Sequence, residues 1–283
     1  MARAPSLNEA RRHFAEELRV VSHIGSDRVV EAFAAVPRER FAGPGPWRLL
    51  HDGDGYWSTP DANPRWLYHN VLVALDEKRR LNIGGPSLWA FHFDRIGVRQ
   101  GDRVLQIGAG SGYYAAILAE LTGPSGRIDA LEIDEDLAQA ARRNLEGWPA
   151  VRVQCADANA PIEGQWDVVV AFAGATAPVA WWVDALADGG RLLLPMTAER
   201  ERGGFMLRLD RHGAGLAACS AGWAGFYPCV GARSDVDQAA LSHALNDGAG
   251  QRAVRSLRRD LHAKDETCWL HANGWCLSRR ELH

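Results

Sequence analysis

The stretch Gly101-Asp-Arg-Val-Leu-Gln-Ile-Gly-Ala-Gly-Ser-Gly112 decides the fold class of this chain. Its apolar run over residues 103–107 predicts a buried β-strand, and the glycines after it predict a tight turn into a helix that begins near Tyr113. Glycines let a ligand approach the backbone closely, and the first turn of the helix presents unpaired N–H groups. The stretch therefore predicts a ligand-binding turn between a strand and a helix.

The rest of the chain divides into three regions. Residues 1–80 predict an N-terminal helical cap, in which short helices are joined by an irregular Gly/Pro-rich loop over residues 42–63. Residues 81–233 alternate strand and helix signals, including a helix over residues 178–186, and end in an antiparallel strand pair. This alternation predicts an α/β domain with a mostly parallel sheet.

Residues 234–283 predict a C-terminal extension. A polar helix is expected near residues 237–245, and a basic helical segment over residues 252–259. Asn273-Gly274 lies between apolar residues and predicts the two-residue turn of a β-hairpin.

The composition excludes two classes of protein. The 283 residues are 47% hydrophobic and 24% charged, with a net charge of −3. No apolar run reaches the roughly 18 residues that a membrane-spanning helix needs, and no basic stripe of the kind that binds nucleic acid is present. The five cysteines are scattered, which favours reduced thiols and a cytoplasmic location. We therefore expect no membrane and no nucleic-acid partner, and the oligomeric state stays open.

Acidic residues near strand ends supply candidate contacts for a nucleoside. Glu132 follows Gly112 by twenty positions and ends a predicted strand, where a carboxylate either accepts hydrogen bonds from ribose hydroxyls or is simply solvated. Asp157 follows the next strand and either receives an adenine amino group or serves a turn. The candidate ligand-binding residues are thus Gly108, Ala109, Gly110, Gly112, Glu132, Ile133, Asp157 and Ala158.

The glycine spacing separates this chain from dinucleotide-binding proteins. Gly108-x-Gly110-x-Gly112 differs from G-x-G-x-x-G and resembles the S-adenosylmethionine loop of Rossmann-like methyltransferases. Three further segments resemble the protein-L-isoaspartate O-methyltransferase family: Val36-Pro-Arg-Glu-Arg-Phe41, Gly189-Gly-Arg-Leu-Leu-Leu-Pro195 and Phe226-Tyr-Pro228. The likeness covers about residues 20–232. It implies a doubly wound Rossmann-like α/β fold, S-adenosylmethionine as cofactor and an O-methyltransferase activity.

The acceptor side departs from that family. The family serine that lies at the substrate carboxylate is replaced by Gly84, and Ser87 is our candidate catalytic residue in its place, although a helix N-cap role fits it equally well. Residues 75–81 look inserted. The predicted acceptor-binding residues are Tyr68, Asn70, Gly84, Gly85 and Trp89.

Three functions remain open at this point. The leading one is a carboxyl O-methyltransferase that acts on a peptide or a small carboxylate, because a carboxylate with a pKa of about 4 is already an ionised nucleophile at neutral pH. The first alternative methylates a small-molecule hydroxyl and needs a general base, for which His69 and His92 are candidates. The second alternative is a module that binds S-adenosylmethionine without turnover.

Two further features are interpreted from spacing. In the tail, Cys268, His271 and Cys276 cluster around the predicted hairpin, but strict alternation would place Cys268 on the face opposite to the other two. We therefore expect no metal. Among the eleven tryptophans, an N-terminal group either packs in the core or forms an aromatic acceptor pocket: Trp47, Trp57, Trp66 and Trp89.

Overall fold

A computed structural model describes residues 6–50, 55–198, 203–247 and 250–282. Within these residues the α-helices are α1 (Leu7–Val21), α2 (Asp27–Ala35), α3 (Pro86–Ile96), α4 (Tyr113–Thr122), α5 (Glu135–Asn144), α6 (Ala180–Asp184) and α7 (Asp235–Leu245). The strands are β1 (Arg48–Leu50), β2 (Tyr56–Ser58), β3 (Leu72–Asp76), β4 (Leu81–Ile83), β5 (Arg103–Ile107), β6 (Arg127–Glu132), β7 (Val151–Cys155), β8 (Trp166–Ala171), β9 (Leu186–Thr197), β10 (Gly204–His212), β11 (Gly215–Ala224), β12 (Ser256–Arg258), β13 (Cys268–Ala272) and β14 (Trp275–Ser278). Short 3₁₀ helices occur at Arg38–Phe41, Pro64–Leu67 and Gly250–Ala253.

The chain forms two compact units. The first unit comprises Met1–Asp102 and Ala109–Cys155, and the second comprises Arg103–Gly108 and Ala156–His283. The glycine-rich turn therefore begins in the second unit and continues in the first. None of the helices within the described ranges is both long and apolar enough to cross a membrane.

The first unit begins with the predicted helical cap. The Ser6 side chain accepts a hydrogen bond from the Glu9 N–H, and the Glu9 carboxylate accepts one from the Ser6 N–H, so these two free donors at the helix start are satisfied. Phe14 and Leu18 are buried as their spacing predicts, but Val21 is half exposed because α1 ends there. α2 stops before Pro37, as expected.

A small antiparallel sheet follows in this unit and corrects the sequence interpretation. Its strand order is β2-β1-β3-β4, so residues 42–63, which we expected to be an irregular loop, contain β1 and β2. These strands have three residues each, too few to show a period-two pattern among neighbouring glycines and prolines. The parallel pair β6–β7 and the helices α4 and α5 occur where the sequence predicts them.

The second unit contains a mixed sheet in the order β13-β14-β12-β11-β10-β9-β8-β5. β5, β8 and β9 are parallel, whereas β10 and the strands beyond it pair antiparallel, as the predicted final strand pair required. The predicted helix over residues 178–186 is only the five-residue α6, because β9 already begins at Leu186. Residues 199–202, whose polar sequence predicts a loop between two strands, lie outside the described residues.

The C-terminal extension continues this sheet. The basic segment over residues 252–259 is not a helix: it forms a 3₁₀ turn and the strand β12. Ser256 pairs with Ala217 of β11 on one side and with Ser278 of β14 on the other, so sheet pairing overrides the local helical preference. The predicted hairpin is present, with Ala272 opposite Trp275 across the turn.

Candidate active site

Glu132 and the glycine-rich turn meet at the end of β6 in the first unit. Glu132 Oε2 accepts the Gly110 N–H at 2.7 Å, and its Oε1 accepts the Asp134 N–H at 3.1 Å. The residue is buried, with 7% of its surface exposed. Each oxygen retains a second lone pair, so the carboxylate is oriented by the backbone and still able to accept hydroxyl hydrogens. This is the arrangement that ribose recognition requires.

Gly112 closes the turn in a backbone conformation that excludes other residues. Its φ of +96° lies in the left-handed region, and its N–H donates to Ala109 O at 2.9 Å. A β-carbon here would stand 2.8 Å from Leu145 Cδ1. Both the turn and the close approach of α5 therefore depend on a missing side chain.

The second unit holds the other predicted cofactor residues. Asp157 is exposed, and its Oδ1 accepts both the backbone and the side-chain N–H of Asn159, so the turn role considered for it is present. Ala158 O accepts the indole N–H groups of Trp181 and Trp182 at 2.9 and 2.8 Å. These bonds fix the segment that follows Asp157. In the first unit Ile133, beside Glu132, is 48% exposed.

Gly84 and Trp89 define the altered acceptor segment. Trp89 is fully buried, and a β-carbon on Gly84 would stand 2.7 Å from its Nε1. The Gly84 carbonyl accepts the Tyr114 hydroxyl at 2.7 Å. The indole thus occupies the space that a side chain at position 84 would need. Trp89 is completely buried, which corrects our expectation that it contacts the acceptor. Its indole instead packs against Gly84 and limits the side chain that position 84 can hold.

Ser87 lies in the first turn of α3 but does not cap it. Gly85 is the N-cap residue, so the alternative N-cap role for Ser87 is wrong. Instead, the Asn70 side chain accepts the Ser87 N–H at 3.0 Å and satisfies one of the free donors at this helix end. Asn70 and Ser87, both predicted for the acceptor side, are therefore brought together, and Ser87 is partly exposed.

Arg38 positions the loop that carries Asn70. The guanidinium is completely buried and donates to the carbonyls of Leu67, His69 and Val71 at 2.8, 3.1 and 2.7 Å. Tyr68, on the same loop, donates its hydroxyl to Glu39, and burial together with this bond raises the pKa of the phenol. The Val36-Pro-Arg-Glu-Arg-Phe41 signature therefore holds the loop that carries Tyr68 and Asn70, which the sequence predicts for the acceptor. The resemblance of this segment to the family identified it in the sequence but did not predict that Arg38 binds the three loop carbonyls.

A hairpin that the sequence did not assign to the site reaches the donor turn. β3 and β4 span the segment that looks inserted. Leu75 Cδ1 lies 3.5 Å from the position of a β-carbon on Gly110, and Arg79 forms ion pairs with Asp134 at 2.5 Å and with Asp76 at 2.6 Å. Asp134 is the residue whose N–H holds Glu132. The inserted hairpin is thus connected to the donor turn by one apolar and one charged contact.

The two histidines considered as bases have different environments. His69 is exposed and contributes its carbonyl to Arg38. His92 is 1% exposed, and burial lowers its pKa to about 4. An enclosed imidazole of that pKa is a poor base for a hydroxyl acceptor at neutral pH.

The tryptophans of the N-terminal group have different environments. Trp47 is buried and donates to Gly43 O, Trp57 is 44% exposed on β2, and Trp66 donates to Asp61 Oδ1. These environments favour separate packing roles over the shared aromatic pocket considered from the sequence.

The tail cysteines and histidines overturn our geometric argument against a metal site. Cys268 does not point away from His271 and Cys276. The ligand atoms of these three residues and of His262 all lie within 4.8 Å of one another. The cause is a register irregularity in β13, which strict alternation does not anticipate.

A strand, a glycine turn and a helix that together present an oriented acidic residue are typical of Rossmann-like nucleoside-binding proteins, and the spacing Gly108-x-Gly110-x-Gly112 places this chain in the class of S-adenosylmethionine-dependent methyltransferases. Residues 59–229 match the model of the family described as protein-L-isoaspartate(D-aspartate) O-methyltransferase. The chain belongs to this family, and it is an S-adenosylmethionine-dependent O-methyltransferase. The family description implies a protein substrate that carries isoaspartyl residues.

Curated relatives and a solved structure agree with this assignment. The protein-L-isoaspartate O-methyltransferase of Methanopyrus kandleri is 32% identical over 194 residues, which are 66% of this chain and 76% of the relative. The enzyme of the same name from Thermotoga maritima is 28% identical over 183 residues, 62% of this chain but only 53% of the relative. The crystal structure of a putative Plasmodium falciparum enzyme in complex with S-adenosyl-L-homocysteine has a TM-score of 0.60 at 18% identity and covers 77% of this chain and 97% of that one. It shows the α/β methyltransferase fold.

Proposed function

We propose that this chain methylates the free carboxylate of an altered aspartyl residue in a peptide, using an acceptor segment that differs from the family pattern. That group is the α-carboxylate of an isoaspartyl residue or the side-chain carboxylate of a D-aspartyl residue. The observation that carries the proposal is the pair Gly84 and Trp89, in which the indole fills the space of the family serine. The family assignment supports the carboxylate acceptor, and the filled space supports a changed acceptor preference.

The donor half of the site fits S-adenosylmethionine. Bound S-adenosylmethionine supplies an electrophilic methyl group on a sulfonium. Glu132 would accept the ribose hydroxyls, with Gly108, Ala109, Gly110 and Gly112 providing the close backbone approach and Ile133 an apolar contact. Asp157 and Ala158 remain proposals for the adenine, and Oδ2 of Asp157 is the atom available for its amino group.

The acceptor half would hold and align the carboxylate. In the displacement, one carboxylate oxygen forms a bond to the methyl carbon while the carbon–sulfur bond breaks. The negative charge of the carboxylate and the positive charge of the sulfonium are both neutralised, and no proton is transferred. Alignment therefore matters more than acid–base catalysis. We assign the cradle to Ser87 and to the backbone of Gly84 and Gly85 at the start of α3, where a helix N-terminus favours an anion. Tyr68 and Asn70 would shape its wall.

The experiment uses three peptides of one sequence that differ only in the form of a single aspartyl residue. The chain is incubated with methyl-labelled donor and either the isoaspartyl, the D-aspartyl or the ordinary L-aspartyl peptide. We expect label in the first or second peptide and background label in the third. Equal label in all three, or label in none while calorimetry still shows binding of S-adenosyl-L-homocysteine, would remove the acceptor proposal. The second outcome would favour a binding module without turnover.

A further inference from the structure

Four potential metal ligands converge in the C-terminal extension, outside the residues matched by the family. They are His262, in the loop after β12, Cys268 and His271 of β13, and Cys276 of β14. Their ligand atoms all lie within 4.8 Å of one another. All four belong to the second compact unit.

A β-bulge brings Cys268 onto the same face as the other ligands. His271 pairs with Cys276 and Leu270 with Leu277, but the next pair is Cys268 with Ser278. Paired residues of antiparallel strands share a face. One extra residue of β13, Trp269, therefore lies between Leu270 and Cys268, and it shifts Cys268 to the side of the sheet that His271 and Cys276 occupy. Trp269 itself is buried against Phe205, with the ring centroids 5.5 Å apart.

The spacing of the ligand atoms is close to that of a tetrahedral zinc site. Zn–S bonds of about 2.3 Å and Zn–N bonds of about 2.0–2.1 Å place sulfur and nitrogen ligands about 3.6 Å apart in a tetrahedron. Cys268 Sγ and His262 Nε2 are 3.6 Å apart. The widest separation in the cluster is at most 4.8 Å, so no pair of ligand atoms has to approach by more than about 1.2 Å to reach the ligand spacing of such a site.

The surroundings orient two of the four ligands. His262 Nδ1 lies 2.9 Å from the Asp260 carbonyl, so the proton on that nitrogen is fixed and Nε2 faces Cys268. The Asp265 N–H donates to Cys268 Sγ at 3.4 Å, and the Cys268 thiol donates to Asp265 Oδ1 at the same distance. The Asp265 carboxylate is in turn 3.5 Å from Arg258 Nη1, which offsets its charge.

Burial and an unpartnered nitrogen point to an ion at this place. Cys276 is completely buried and Cys268 is 6% exposed. His271 Nδ1 is buried and has no hydrogen-bond partner among the described residues, a costly state that a bond from this nitrogen to a metal would remove. Two thiolates and two neutral imidazoles around Zn²⁺ carry no net charge, which suits a partly buried position.

We propose that His262, Cys268, His271 and Cys276 bind one Zn²⁺ ion in a closed structural site. Because all four ligands come from the protein, no open position remains for a substrate or a water, as in structural rather than catalytic zinc sites. On binding, each cysteine loses its thiol proton to solvent and forms a bond to zinc. The ion joins the loop after β12 to the terminal hairpin and so stabilises the edge of the sheet.

The test measures metal in the full chain and needs no activity assay. The chain is produced in zinc-supplemented medium, purified without immobilised metal, and analysed for zinc by mass spectrometry. We expect about one zinc per wild-type chain and less than about a tenth in Cys276→Ser, because thiolate ligands dominate such affinities. Cys219→Ser is the matched control, since Cys219 is an exposed thiol of β11, and it should keep its zinc.

A second measurement covers the case in which Cys276→Ser does not fold. Wild-type chain freed of metal by a chelator is titrated with Co²⁺, which should produce the intense visible bands of a tetrahedral thiolate site at one equivalent. A wild-type chain without zinc and without these bands would overturn the proposal. So would equal zinc loss in Cys219→Ser and Cys276→Ser, or a disulfide between Cys268 and Cys276 in the purified chain.

Discussion

Gly84 has so little space beside it that a β-carbon would stand 2.7 Å from Trp89 Nε1 and 3.2 Å from Cδ1. The indole is fully buried and cannot move away easily. We therefore expect Gly84→Ser, which places the family residue at this position, to lower the free energy of unfolding by about 1–3 kcal/mol through overpacking. Urea denaturation measures this loss.

Gly85→Ser is the matched control for that substitution. A β-carbon on Gly85 would have its nearest contact at 4.0 Å, and the residue is the N-cap of α3, a position that serine favours. This variant should be as stable as the wild type. Trp89→Leu should relieve the clash at position 84. Gly84→Ser should therefore lower the free energy of unfolding by less in a Trp89→Leu chain than in the wild-type chain. Equal stability of Gly84→Ser and Gly85→Ser would show that the indole does not exclude a side chain.

Glu132 is the proposed contact to the ribose of the methyl donor, and its substitution should weaken ligand binding in a chain that still folds. Glu132→Ala should weaken the binding of S-adenosyl-L-homocysteine by about 1–3 kcal/mol, because hydrogen bonds to a charged group are lost. Isothermal titration calorimetry gives the difference directly. Glu135→Ala, an exposed carboxylate in the first turn of α5, should leave the affinity unchanged. Unchanged affinity in a folded Glu132→Ala chain would refute the assigned role.

At the scale of elements, Arg38 connects the first 3₁₀ helix to the loop Leu67–Val71. Arg38→Met leaves three carbonyls without their donor, so we expect a loss of about 3 kcal/mol or more in the free energy of unfolding. Arg40→Met tests the same chemical change at an exposed neighbour that lies 5.3 Å from the Trp148 ring centroid, and it should cost less than about 1 kcal/mol. Chemical denaturation of both variants measures the difference, and similar losses would contradict the positioning role of Arg38.

The elements that the sequence predicts well are those with a full period or a clear cap. β5 is found at the predicted residues 103–107, and the alternating residues 151–155 likewise predict β7 where it occurs. Asp134 is a favourable N-cap residue ahead of two acidic residues, and it caps α5 through the Leu137 N–H. The failures have other causes. β1 and β2 are too short to show a period, and β12 is a strand only because Ala217 and Ser278 offer it partners on both sides.

The donor side of the site was also more predictable than the acceptor side. Glycine spacing and the position of Glu132 are local signals, and the structure brings Gly110 and Glu132 within 2.7 Å. Three features have no such signal. The packing of Trp89 against Gly84 depends on the three-dimensional path of the chain into α3, the role of Arg38 on carbonyls about thirty residues away, and the bulge at Trp269 on a single extra residue in a strand. No periodic pattern encodes them.

At the scale of the whole molecule, His92 should make stability depend on pH. Burial lowers the pKa of its imidazole from 6.5 to about 4 in the folded chain. Below about pH 6.5 the unfolded chain therefore binds a proton that the folded chain refuses, and acid favours unfolding progressively until about pH 4. The added loss is about 3 kcal/mol, because each pKa unit corresponds to about 1.4 kcal/mol.

The comparison variant for this pH effect is His92→Leu, which cannot titrate at this position. Free energies of unfolding are measured for both chains from pH 7 to pH 4. A packing defect in His92→Leu would change the free energy of unfolding by the same amount at every pH. Loss of the titrating imidazole would instead make the free energy of unfolding fall less steeply as the pH decreases. Parallel curves would contradict the lowered pKa.

The whole molecule combines a family methyltransferase region with an extension that lies outside the matched residues 59–229. α7 and the strands β12 to β14 make up this extension, and β12 pairs with β11 at the edge of the sheet. The extension therefore continues the sheet of the second unit. The zinc proposal belongs to this part alone and does not depend on the methyl-transfer proposal.

Transfer of the methyl group to a carboxylate produces an ester, which mild base hydrolyses, whereas an ether or a methylated amine survives the same treatment. Labelled product from the isoaspartyl peptide is separated from the donor, and half of it is treated with mild base before volatile label is counted. A methyl ester releases its label as methanol, and we predict nearly complete release in the base-treated half. Label that stays on the product would identify an ether or an amine, and it would contradict the assignment of this chain as a carboxyl methyltransferase.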